Sequence, residues 1–195
     1  YLNGDPSQTN NDLLDWHANL LANAGIDFVV LDFTNGAADY IGPTYVSATK
    51  ALLNRWQARI AAGLPTPKVV FFALDAPTLT TIQNTYYNHY SPNCFFNYQG
   101  KPLALVAQPV SNLPAGASDP GQPALPTGGI FNSFTTRHCW ALDTTGSYWQ
   151  FKEDAATPPP AFNLNGAPEE MCVPVACAGT SNGTDLLPNA KGRSN

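Results

Sequence analysis

The sequence predicts an α/β fold with a mostly parallel sheet. Three observations carry that prediction. A stretch of helical periodicity, Asn11–Ala24, leads at once into an apolar run, Ile26–Phe33. The same order recurs further on, with a helical stretch over 43–62 ahead of the apolar run Lys68–Leu74. Each helical stretch is followed by a glycine, Gly25 and Gly63. Strands alternating with helices are the pattern of parallel strands joined by crossover helices.

In the first stretch Leu13, Leu14, His17, Leu20, Leu21 and Ala24 recur at three- and four-residue spacing and share one helix face. Asn10 or Asn11 can cap its start, and Asp12 and Asp15 in the first turn complement the helix dipole. Gly25 can take the left-handed conformation that ends a helix. Within the run Ile26–Phe33, Phe28–Leu31 is continuously apolar up to Asp32, as a strand buried on both faces requires. It gives way to Thr34, Asn35 and Gly36, a polar turn. Tyr45, Ala48, Leu52, Trp56 and Ile60 form the stripe of the second helix, and Gly63, Pro65 and Pro67 stop it. Lys68–Leu74 reads as a second buried strand and Thr78–Tyr90 as a third helix, opened by Pro77 and Thr78. Cys94–Tyr98 and Lys101–Val106 read as two short strands joined by Gln99 and Gly100.

The character then changes. Residues 109–129 and 155–168 are rich in proline and small residues and read as long surface loops. Ile130–Trp140 is strand-like, Trp149–Phe151 is a strand or an aromatic loop, and Met171–Ala178 reads as a last strand. No period marks Gly179–Asn195. With 195 residues the chain can build a core of its own, and 1–195 reads as a single domain.

Charged residues make up 12% of the chain, about half of the usual ~25%, and proline occurs 18 times. Such a composition fits a secreted, extracellular protein. The net charge is −5 and the nine basic residues are scattered, which argues against nucleic acid as a partner. No apolar stretch approaches the ~20 residues of a membrane span. Neither Gly-x-Gly-x-x-Gly nor a P-loop occurs, and no cofactor is expected. The four cysteines, Cys94, Cys139, Cys172 and Cys177, lack zinc-ligand spacing, and no metal site is expected. Two disulfides are expected instead, Cys172–Cys177 and Cys94–Cys139 out of three possible pairings, with free buried thiols as the alternative. A straight strand over Met171–Ala178 would hold Cys172 and Cys177 more than ~15 Å apart, so that bridge and that strand exclude each other. Asn182, followed by Gly183 and Thr184, is a glycosylation sequon.

Asp32 is the sharpest catalytic candidate, since it is the one carboxylate near the end of an apolar strand. There it can act as base, nucleophile or sugar ligand, or it can cap the loop or pair with Arg137. Asn35 can bind a sugar hydroxyl or serve the turn beside Gly36. Arg137 offers a planar donor fork and Trp140 a flat apolar face, suited to a carbohydrate or a carboxylate; the alternative is a buried structural pair. Trp149 belongs to a second aromatic group, Tyr148–Phe151. Glu169 and Glu170 precede the last apolar run, and a two-carboxylate hydrolase would draw its partner for Asp32 from them.

Several motifs together resemble the glycoside hydrolase 71/99-like group. HANLLANAGIDFVVLDFTNG (His17–Gly36) is similar to that group's helix leading to a strand that ends in Asp, a hydroxyl residue, Asn and Gly. LPTPKVVFFAL (Leu64–Leu74), CFFNYQGKPLALV (Cys94–Val106), FNSFTTRHCWAL (Phe131–Leu142), YWQF (Tyr148–Phe151) and PEEMCVPVACA (Pro168–Ala178) follow in the group's order. Lys191–Ser194 resembles its Gly-Arg-Ser turn. The resemblance covers most of the chain. It implies a partial (β/α)8 TIM-type barrel whose first strand would precede Tyr1 and whose last would follow Asn195. It also implies carbohydrate processing, with Asp32, Asn35, Arg137 and Glu170 at the site. The expected function is a secreted glycoside hydrolase-like domain acting on an extracellular polysaccharide. The alternative is a non-catalytic carbohydrate-binding or assembly module. A barrel of about six strands leaves open edges, which another chain or the proline-rich loops would cover.

Overall fold

Two helices of this chain end in the same way, and those ends set up the strands that follow. In a computed structural model, describing residues 10–34, 44–107, 128–139, 161–162 and 168–170, α1 spans Asn10–Asn23 and α2 spans Thr44–Ala61. After α1, the Gly25 amide donates to Ala22 O and the Ile26 amide to Leu21 O, both at 3.0 Å. After α2, Gly63 donates to Ile60 O and Leu64 to Arg59 O, again at 3.0 Å. Each is the paired bond set of a helix closed by a left-handed residue. The φ angles of +76° at Gly25 and +72° at Gly63 explain why glycine stands at both.

Each stop feeds a strand. Strand β1 spans Phe28–Phe33 and β2 spans Lys68–Ala73. They pair in parallel from Phe28 opposite Lys68 to Phe33 opposite Ala73, so the chain β1–α2–β2 is the crossover unit that the alternation predicts. Strand β2 is buried on both faces from Val69 to Ala73. Strand β1 differs from expectation. Val29, Leu31 and Phe33 pack toward the core, while Val30 and Asp32 are exposed. An apolar run does not by itself report whether its second face is covered, and β1 is terminal in the strand order β1-β2-β4-β3.

Asp75 opens the third helix, α3 (Ala76–Ile82), its carboxylate accepting from the Thr78 amide at 2.8 Å. The expected helix Thr78–Tyr90 is shorter and changes character. Gln83–Tyr87 forms a π turn, closed by the Asn88 amide donating to Gln83 O at 3.0 Å. The wider turn lets two consecutive tyrosines reach the core. Tyr86 is buried and stacks on Phe71 at 5.0 Å, and Tyr87 packs on Phe95 at 4.2 Å and Phe134 at 4.9 Å. The Tyr87 hydroxyl donates to Leu103 O at 3.4 Å, and burial raises its pKa.

The segment expected as a strand from Cys94 begins instead as a 3-10 turn, Pro92–Cys94, capped by Ser91. A short hairpin follows, β3 (Asn97–Tyr98) antiparallel to β4 (Lys101–Val106). Gln99 and Gly100 both take positive φ, 53° and 86°. A two-residue connection of that kind reverses the chain, so this pair departs from the parallel rule. Ile130–Trp140 also begins late as a strand. Gly129–Ser133 is a 3-10 turn entered through left-handed Gly128 and Gly129, and β5 runs only over Thr135–His138. Cys94 is a free, buried thiol, so the expected Cys94–Cys139 bridge is not formed. Its place in the aromatic and aliphatic core raises its pKa, an effect that the Lys68 charge partly offsets.

By contact the chain divides into two units, Tyr1–Leu105 with Gly128–Thr135, and Val106–Thr127 with Thr136–Asn195. The core of the first gathers Phe33, Leu53, Trp56, Phe71, Leu79, Ile82, Tyr86, Phe95 and Phe134. In the second, the Cys139 amide donates to Val106 O at 3.1 Å, and Thr136, Arg137 and Cys139 are buried. Strand β6 (Ala161–Phe162) pairs antiparallel with β7 (Pro168–Glu170), where a loop over 155–168 is expected. The expected strand Met171–Ala178 lies outside the described residues. Among the described residues the architecture is therefore mixed α/β around a parallel pair.

Candidate functional site

Strand β1 delivers Asp32 to the carboxyl end of the parallel pair. Alternation along the strand puts Phe33 in the core and Asp32 in the open. The Asp32 Oδ1 atom accepts two bonds from Thr34, from its amide at 2.8 Å and from its hydroxyl at 2.7 Å. These bonds fix one carboxylate oxygen against the turn, the capping arrangement that a short acidic side chain makes with the residue two places on. One of the sequence alternatives, Asp32 as a loop cap, is thus present in the geometry.

Beside it lies an open groove of about 390 Å³. Its walls come from three elements: Leu14 of α1, Val30 and Asp32 of β1, and Ala48, Thr49 and Leu52 of α2. Most of these groups are aliphatic, and Asp32 and Thr49 are the polar exceptions. Such a groove offers an apolar wall beside an acceptor and a hydroxyl. Sequence reading placed Leu14, Ala48 and Leu52 on helix stripes, as core positions. It gave no sign that they also border Asp32, because the three elements meet only once β1 is in register.

The helices under the groove are tied by charge. Asp15 of α1 accepts from Arg55 Nε at 2.7 Å and from its terminal nitrogen in a second, shorter bond. Arg59 lies 3.3 Å from the same carboxylate and is itself buried. It satisfies its other donors with Asn19 Oδ1 at 2.6 Å, Thr66 Oγ1 at 3.2 Å and Pro65 O at 2.9 Å. The Trp56 indole donates to Leu14 O at 3.3 Å, fixing the α1 backbone at the groove wall. Arg55 holds the Asp15 carboxyl below its ordinary range; burial opposes that shift, and Arg59 adds to it. Asp15 was expected only as a partner of the helix dipole.

The other expected site residues belong to the second unit or lie outside the described residues. Arg137 stands in β5, in the second unit, buried, with a guanidinium nitrogen donating to Thr136 O at 2.9 Å. Glu170 ends β7 in the same unit, opposite Ala161. Asn35, Trp140, Trp149, Cys172, Cys177 and Asn182 lie outside the described residues. Among the described residues no cluster of three metal-ligating side chains occurs, and no helix is long and apolar enough to cross a membrane. Comparison with protein-family models, curated proteins and solved structures finds no match to this chain.

Proposed function

We propose that this chain is part of a (β/α)-barrel of the glycoside hydrolase 71/99-like type, acting outside the cell on a polysaccharide through the carboxyl end of β1. The observation that carries the reading is the placement of Asp32. It stands exposed near the carboxyl end of a strand in a parallel pair, bordering an open groove with Thr49. The carboxyl ends of parallel strands are where such sheets bind and transform ligands. Asp32 Oδ1 is held by Thr34, which restrains the carboxylate in one orientation.

A second reading, a non-catalytic carbohydrate-binding module, rests on a specific observation as well. Among the described residues, Asp32 is the single acidic one lining the groove. Hydrolysis with retention or inversion uses two carboxylates about 5–10 Å apart. A lone acid serves binding without a second group.

One experiment separates the readings. The full-length parent protein is incubated with a panel of extracellular polysaccharides, and both bound sugar and new reducing ends are measured. New reducing ends that vanish in Asp32→Asn support the hydrolase. Binding that weakens in Asp32→Asn, with no new ends, supports the module. Neither binding nor cleavage across the panel overturns both.

A further inference from the structure

We draw no further inference here: the strongest candidate, the exposed apolar patch that Trp16 and Leu20 form one turn apart on α1, carries nothing because nothing in the structure shows what covers it.

Discussion

Asp15 on α1 and Arg55 on α2 form a two-bond ion pair across forty residues of sequence. The pair, with Arg59 behind it, ties the two helices that wall the groove beside Asp32. Both side chains remain partly open to water, so its contribution is modest. The direction with pH follows from the lowered Asp15 pKa. A carboxyl that is depressed in the folded state stabilises fully above its unfolded value, near 4. The gain is lost as pH falls through the folded value. Urea unfolding of Asp15→Asn against the unsubstituted protein should therefore show a small deficit near neutral pH. That deficit should shrink as pH falls through the lowered folded-state value of Asp15, where the paired carboxyl takes up its proton. A deficit that does not change with pH would contradict this account.

Gly63 is held at φ +72° with nothing within 4 Å of where a Cβ would stand. The penalty for substitution is thus conformational and not steric. Gly63→Ala should cost about 1–2 kcal/mol in thermal or urea unfolding. Gly63→Asn should cost less, since asparagine tolerates the left-handed region. Equal losses for the two variants would point to a steric cause instead.

Phe71 is fully buried and meets Phe33 edge-on at 5.2 Å as well as stacking on Tyr86. Phe71→Ala should lower unfolding stability by about 3–5 kcal/mol, through lost transfer energy and the cavity left behind. Near-ultraviolet circular dichroism should report the loss of the ordered aromatic cluster. A loss under about 1 kcal/mol would show that the site collapses freely or is not core.

Cys94 combines burial with a raised pKa, so the reactive thiolate is scarce and shielded. Labelling with iodoacetamide at mildly alkaline pH, read by peptide mapping, should leave Cys94 unmodified in the folded protein. It should label fully in denaturant. Rapid labelling of the native protein would place the thiol at the surface.

Asp32→Asn keeps an oxygen that can accept from Thr34 while removing the charge. On the hydrolase reading proposed above, turnover should fall by about 10²–10⁴-fold, the range for a positioned acid or base. The melting temperature should barely move. Unchanged turnover would remove Asp32 from the chemistry, and a large fall in melting temperature would assign it a structural role.

Much of the first unit was legible because its signals are local. Leu13, Leu21 and Leu52 recur at helical spacing, and Gly25 and Gly63 mark stops that depend on the backbone alone. The hairpin at Gln99 and Gly100 was visible as a two-residue connection, but its antiparallel sense was hidden beneath the parallel expectation. The Asp15–Arg55–Arg59 network was invisible, because its partners meet only after two helices pack. The π turn was likewise hidden, since periodicity over Thr78–Tyr90 does not distinguish an α turn from a wider one that brings Tyr86 and Tyr87 inward together. At the candidate site Asp32 stood out as the charge near the end of an apolar run. The groove beside it did not, because Leu14 and Leu52 look like any other residues of a helix stripe.

The alternation of β1 gives Asp32 a consequence independent of any sugar. Side chains in a strand repeat every two residues, so sliding β1 by one place along β2 would exchange its faces. Phe33, now buried, would turn to water, and the Asp32 carboxylate would enter an apolar interior at a cost of several kcal/mol. The acid therefore acts as a ratchet on strand assembly: it tolerates one alignment of the parallel pair and penalises its neighbours on either side. A chain with leucine at this position would keep the pairing of the native sheet and be left with the exposure of Phe33 as its penalty against the wrong one.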